Sequence, residues 1–250
     1  MERITSRRNP LVAHIRKLNT SRAYRRAQGL FVAEGPKLLE EALKWGAEIP
    51  CLVGVEGADF PCPAHTKRVE VPADLLDYLS DTAAPQGVVF VCRMPPLALP
   101  DTPEPGRYLV LDGVQDPGNV GTIWRTADAL GAQGVVLLEQ CADPFSPKTV
   151  RASMGACFRL GVWETGLEGL TAWLAQGDIP LYAAALGEHT ADVREVDWSC
   201  SAAVIGSEGR GVSPQVAAAC RGTVRIPMRA RCESLNAAVA AAIVLWEGAR

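Results

Sequence analysis

Short apolar runs alternate with stretches of helical spacing along this chain, and they fall into two groups separated by a proline-rich break. Downstream of the break, Tyr108–Leu111, Val135–Leu138, Leu160–Trp163, Leu181–Ala185, Ala202–Ile205 and Thr223–Ile226 read as strands. Continuous apolar runs of this length, bounded by turn residues, suit strands buried on both faces. Their alternation with helical segments predicts an α/β fold, a mainly parallel sheet covered by helices on both sides. Upstream, residues 31–93 predict a smaller α/β unit with strands at Cys51–Val55 and Val88–Cys92 and helices at Pro36–Trp45 and Ala73–Leu79. Pro36 suits a first helical position and Gly46 a stop. The break itself, Met94 to Gly106, holds Pro95, Pro96, Pro100, Pro103 and Pro105. Proline fixes φ and lacks the N–H, so the segment reads as a linker. The expected layout is residues 1–30, 31–93, a linker over 94–106, and a larger domain over 107–250.

Ligands of open parallel sheets collect beyond the carboxyl ends of the strands, so the residues that follow each strand carry the functional information. After Leu111 the chain reads Asp112-Gly113-Val114-Gln115-Asp116-Pro117-Gly118-Asn119-Val120-Gly121, then a helical pattern over Thr122–Leu130 that contains Arg125. Asp-Pro-Gly is turn chemistry, and Asn119 is placed to cap the helix. After Ile205 comes Gly206-Ser207-Glu208-Gly209-Arg210-Gly211, whose glycines let backbone approach a ligand closely. The spacing is neither a Walker loop nor the dinucleotide fingerprint, which disfavours ATP or NAD there. A third segment, Ile226-Pro227-Met228, leads through Ser234, Leu235 and Asn236 into a terminal helix reaching Glu247, with Ser234 as the expected N-cap.

Composition changes this picture in one place. The 250 residues carry 25 basic and 28 acidic side chains, a formal charge of −3. Yet residues 1–30 hold Arg3, Arg7, Arg8, Arg16, Lys17, Arg22, Arg25 and Arg26 against Glu2 alone. Such clustering attracts phosphates and marks either an anionic partner or a solvated helix. The longest apolar run, Ala237–Trp246, is about half the ~20 residues that cross a bilayer, and no apolar leader follows Met1, which predicts a cytoplasmic protein without membrane contact. The eight cysteines form no Cys-x-x-Cys pair, and His14, His65 and His189 are the three histidines. Metal-ligand spacing is missing, and the cysteines are expected as small buried apolar residues.

Together the three loops resemble the three motifs of the SpoU, or TrmH, family of RNA ribose 2′-O-methyltransferases in the SPOUT superfamily. The resemblance rests on Asn119-x-Gly121-x-x-x-Arg125, on Ile205-Gly206-x-Glu208-Gly209-x-Gly211, and on Ile226-Pro227-Met228 with Ser234-Leu235-Asn236, in that order on successive strand ends. Phe31, Glu34 and Gly35 are similar to the opening of the family's small RNA-substrate-binding domain, of L30e-like α/β type, and Ser6, Asn9 and Pro10 resemble a subgroup associated with ribosomal RNA.

The resemblance implies a carboxy-terminal α/β domain tied in a deep trefoil knot, a homodimer, and S-adenosylmethionine as cofactor with no metal. By position, Ala184, Gly206, Ser207, Gly209, Gly211, Ile226, Pro227, Met228 and Leu235 are expected at the cofactor. Asn119, Arg125, Glu208, Ser234 and Asn236 are the expected polar site residues, and Arg7, Arg8, Arg16, Lys17, Arg22, Arg25 and Arg26 the expected RNA contacts. The implied reaction is attack of a ribose 2′-oxygen on the sulfonium methyl, on ribosomal RNA of the 23S type before transfer RNA. The rival from another class is an RNA-binding assembly factor on the same fold. Arg125 is the family's base; a guanidinium stays protonated in proteins, so a phosphate clamp that stabilises developing negative charge is the chemical alternative.

Overall fold

The computed structural model describes residues 2–185, 190–229, 231–232 and 234–250, so His189 lies outside the described residues. The chain forms two compact units, one of residues up to Pro95 with Asp143–Phe158, the other of Pro96–Ala142 with Arg159–Arg250.

The first unit begins β1 (Glu2–Arg3), α1 (Pro10–Thr20), α2 (Arg22–Gln28), β2 (Leu30–Glu34), α3 (Pro36–Lys44), β3 (Cys51–Val55), β4 (Lys67–Val71), α4 (Ala73–Leu79) and β5 (Val88–Arg93). Its sheet has the order β1-β4-β3-β5-β2. β1, β4 and β3 are parallel, and β5 runs antiparallel to its two neighbours. The basic amino-terminal stretch, expected to stand apart, is built into this unit. Asn9 caps α1 through a 2.8 Å bond from the Leu11 N–H, with Pro10 in the first turn. Val12, Ile15 and Leu18, at i, i+3 and i+6, then enter the core with Val32, Val53, Val69 and Val91.

Arg25 follows them inside, 4% exposed. Its guanidinium pairs with Asp143 at 2.6 Å and donates to the carbonyls of Leu18 and Asn19. The segment that brings Asp143 also packs Phe145 on Phe31, ring centroids 4.7 Å apart. That segment, which the linear layout assigned to the downstream domain, is thus part of the first unit's core.

The second unit and the returning segment add β6 (Arg107–Asp112), α5 (Pro117–Ala129), β7 (Gly134–Leu137), α6 (Pro147–Ser153, in the first unit), β8 (Gly161–Glu164), α7 (Leu167–Gln176), β9 (Leu181–Ala184), β10 (Ala191–Asp192), β11 (Ser201–Gly206), α8 (Pro214–Ala219), β12 (Gly222–Arg225) and α9 (Ala237–Ala249). The sheet order is β10-β12-β9-β11-β6-β7-β8, and every described pairing is parallel. From β6 the strands step outward to β7 and β8, whereas β11, β9 and β12 lie on its other side. The order reverses between β6 and β11, and at such a switch point the loops leaving the two strands part to form a crevice.

Two helix starts differ from the expected ones. α5 begins at Pro117 and is capped by Asp116, whose carboxylate accepts the Asn119 N–H at 3.2 Å. Proline at a first helical position forfeits an N–H that would be unpaired anyway, so Pro117-Gly118 opens the helix instead of preceding it. The cap of α9 is Asn236 and not Ser234: its Oδ1 accepts from Ala238 N at 2.9 Å and Val239 N at 3.3 Å. Cys51, Cys92, Cys141 and Cys157 are buried as expected, while Cys232 is exposed. Burial pushes the Cys51 and Cys141 thiols up to about 11.

Candidate active site

The loop after β6 and the loop after β11 meet at the switch point. Between them, and under the end of β7, lies a crevice of about 350 Å³ lined by Asp112, Gly113, Gln140, Ser207, Arg210, Gly211 and Ser213 among others. Asp112, the last residue of β6, accepts the Ser213 N–H at 2.6 Å and so ties the far end of the β11 loop to its neighbouring strand. The loop closes on itself through paired Ser207–Gly211 backbone bonds of 3.0 and 2.9 Å. This closure requires glycine twice. A Cβ on Gly206 would lie 2.0 Å from the Gly211 carbonyl carbon, and Gly211 itself has φ +68°.

Glu208 is carried on the turn of that loop and reaches α5. Its Oε1 accepts from Asn119 Nδ2 at 2.8 Å, and its Oε2 from the Gln115 N–H at 3.5 Å. Partial burial works to raise the Glu208 pKa, but the bonds from Asn119 and from backbone N–H groups, those of Gln115 and Asp116 included, outweigh it and leave the carboxyl below its ordinary value. Asn119 completes the chain on its other side, its Oδ1 accepting from Asn236 Nδ2 at 3.1 Å. Because Asp116 caps α5, the Asn119 amide is released from helix capping and joins one residue from each of the three loops. The amide orientation follows from the network, since Glu208 can only accept.

Arg125 stands apart. It lies two helical turns along α5, exposed, with no hydrogen bond or ion pair among the described residues. Glu208 does not reach Arg125 and is turned to Asn119 instead. Ser234 is exposed and likewise makes no side-chain bond among the described residues.

The remaining expected cofactor residues gather on one side of the sheet. β12, β9 and β11 are neighbours, so Ala184, Ile226–Met228 and Gly206–Gly211 leave adjacent strand ends. Ala184, Ile226 and Met228 are half-buried, Leu235 is 38% exposed, and a Cβ at Gly209 or Gly211 would meet nothing within 4 Å. Apolar side chains beside open glycine backbone suit a ligand with a flat apolar ring and hydrogen-bonding edges, and S-adenosylmethionine fits that description. Asp112, Gln140, Arg210 and Ser213 were missed by motif reading. Their positions at or just beyond the ends of β6, β7 and β11 were the available signal.

Residues 106–246 match the SpoU rRNA Methylase family, and residues 9–89 match the MRM3-like substrate binding domain. The chain belongs to the SpoU rRNA methylase family. Relatives of this SpoU methylase span its whole length: the 23S rRNA (guanosine(2553)-2′-O)-methyltransferase RlmP of Bacillus subtilis is 33% identical, covering 98% of this chain and 98% of that protein. The 23S rRNA (uridine(2479)-2′-O)-methyltransferase of Streptomyces viridochromogenes is 35% identical over 74% of this chain and 68% of its own. Among solved structures, the AdoMet-bound rRNA methyltransferase of Sinorhizobium meliloti superposes with a TM-score of 0.88 at 32% identity, covering 99% and 97% of the two chains. The SpoU assignment thus rests on full-length similarity together with the meeting of all three motif loops.

Proposed function

We propose that this protein methylates a ribose 2′-hydroxyl of 23S ribosomal RNA. The observation that carries the reading is the bonded line Glu208–Asn119–Asn236, which joins the three motif loops in a chain similar end to end to RlmP. S-adenosylmethionine, when bound, supplies an electrophilic methyl group on a sulfonium. Gly206–Gly211, Ala184, Ile226–Met228 and Leu235 hold it by backbone groups and apolar contact. Glu208, Asn119 and Asn236 fix the loop positions on which the geometry of attack depends. Arg125, cationic and unengaged, takes the phosphate next to the target ribose and stabilises charge developing on the 2′-oxygen, while the proton leaves to phosphate or water.

The reading includes a homodimer and a deep trefoil knot, in which the last strands and helix thread through a loop. Support for the dimer comes from α9: Val239 and Trp246 are 47% and 59% exposed and share an apolar groove with Thr122, Thr126 and Ile243 of α5 and α9. A second copy would take that surface out of water. Such an enzyme works on ribosomal RNA in the cytoplasm, and no described helix is long and apolar enough to cross a membrane.

The test is transfer of labelled methyl from S-adenosylmethionine to RNA from a deletion strain, followed by mapping of the modified ribose. Label in 23S RNA at a 2′-oxygen is expected, lost on Arg125→Ala with cofactor binding kept. Label confined to transfer RNA would move the substrate, and no transfer to any RNA would leave a binding protein.

A further inference from the structure

Several basic residues of the amino terminus are paired with acids, Arg3 with Glu56 and Arg26 with Asp143 among them. Arg25 is consumed by the buried pair with Asp143. Arg7, Arg16 and Lys17 instead lie on aromatic rings at the surface. The guanidinium carbons of Arg7 and Arg16 are each 4.8 Å from the centroid of Tyr78, and Lys17 Nζ is 4.3 Å from that of Tyr24. Tyr78 belongs to α4 and is 37% exposed. Arg16 is further fixed by a 3.1 Å bond from Nη1 to the Tyr78 carbonyl, and Tyr24 by a 2.8 Å bond between its Oη and His14 Nδ1. Arg8 stands exposed beside Arg7 without an ion pair among the described residues.

Two guanidiniums on one ring repel each other, and the neighbouring acid offsets little. Asp74 reaches only Arg7, at 3.7 Å, with both side chains more than half exposed. Among the described residues the two guanidiniums, with ten N–H donors between them, make one hydrogen bond, from Arg16 to the Tyr78 carbonyl, and one loose ion pair, of Arg7 with Asp74. An anion is what they lack. Tyr78 adds a partly exposed aromatic ring, and no other large apolar side chain is exposed on α1, α2 or α4 among the described residues, which disfavours insertion into a lipid surface.

We propose that Tyr78, with Arg7 and Arg16, forms a stacking platform for an unpaired nucleotide of the RNA, the flanking phosphates being held by Arg8 and Lys17. The inference rests on the reading of the protein as an RNA enzyme but names a contact far in sequence from the motif loops. Arginine and tyrosine together suit single-stranded RNA, because every base offers a π-face and every linkage a phosphate, whereas a paired base has no face to offer.

The test is binding of a labelled single-stranded RNA and of a duplex of equal length, measured by anisotropy over a salt series without cofactor. Tyr78→Ala is expected to weaken single-strand binding roughly 10-fold with an unchanged salt slope, and Tyr78→Phe to bind as the parent does. Arg16→Ala is expected to lower the slope of log affinity against log salt by about 1. Hydrogen exchange in α1, α2 and α4 checks that the unit carrying Tyr78 is intact in each variant. If Tyr78→Ala binds as the parent does, or duplex and single strand lose equally, the patch is a phosphate-contact surface and the platform is wrong. Methyl transfer is not the readout, so failure here is distinct from failure of the enzymatic reading.

Discussion

At Asn119 one side-chain amide spends its donor on Glu208 and its acceptor on Asn236, so a single residue sets the spacing of two loops far from it in sequence. Asn119→Ala removes both bonds and leaves α5 capped, since the cap is Asp116. Methyl transfer is expected to fall roughly 10- to 100-fold, the cost of small misplacements at a reacting centre, with a change of only a few degrees in Tm. An equal loss of activity and stability would show that Asn119 serves the fold alone. Glu208 makes a pH prediction of definite sign. Its pKa is lowered in the folded state, so the stabilisation by its carboxylate is complete above the unfolded value of about 4.3 and is lost as pH falls through the folded value. Glu208→Gln should therefore have a lower Tm than the parent at pH 7, with the gap closing on acidification below about pH 4. Melting curves that stay equally separated down to pH 3 would contradict this linkage.

The long strands of the second unit and the helices α3 and α4 were legible, the starts of α5 and α9 less so. Each of the six expected strands of the second unit is present within about a residue of its expected bounds, because a buried parallel strand needs a continuous apolar run and little else in this chain has one. β1, β2, β4 and β10 were missed; in β4, Lys67–Val71, charge alternates with valine, since one side of the strand is partly exposed. The motif residues were named from the resemblance, yet their roles were not readable from it. Whether Asn119 or Asp116 caps α5 depends on where the helix starts, and Pro117 permits either register. Trp163 of β8 shows a packing constraint that only three dimensions reveal. It lies over Gly134 of β7 and Gly161 of β8, where a Cβ would fall 2.0 and 2.4 Å from its ring. Trp163 cannot retreat freely, because Tyr108 and Trp173 pack beside it. Gly134→Ala is expected to cost about 1–3 kcal/mol by overpacking, read as a lower midpoint in urea with an unchanged m-value. A midpoint equal to the parent's would mean that the indole has another place to go.

For the whole molecule, the order of residues along the chain is a poor guide to which of them fold together. The proline-rich stretch marks one crossing between units, but the chain crosses again at Ala142–Asp143 and at Phe158–Arg159. Nothing local announces these crossings, because the partner of Asp143 is 118 residues away. That partner, Arg25, is 4% exposed and Asp143 side-chain exposure is 6%, so each charge depends on the other for its solvation. Breaking such a pair from one side leaves a bare charge in the core. Asp143→Ala is therefore expected to destabilise the first unit by about 3–5 kcal/mol, whereas the pair Arg25→Met with Asp143→Leu should recover only part of that loss, because Arg26, 3.5 Å from Asp143, and the Phe145 N–H lose the same carboxylate. Hydrogen exchange resolves the effect by unit: in Asp143→Ala, protection should fall in α1, β2 and β5 while β6 and β11 keep theirs. A fragment ending at Pro95 meets the same difficulty more severely. It would carry Arg25 without its carboxylate and Phe31, 1% exposed in the intact chain, without the ring of Phe145. Such a fragment should lack a cooperative thermal transition, and a sharp one would show that Asp143–Phe158 decorates the unit without completing its core.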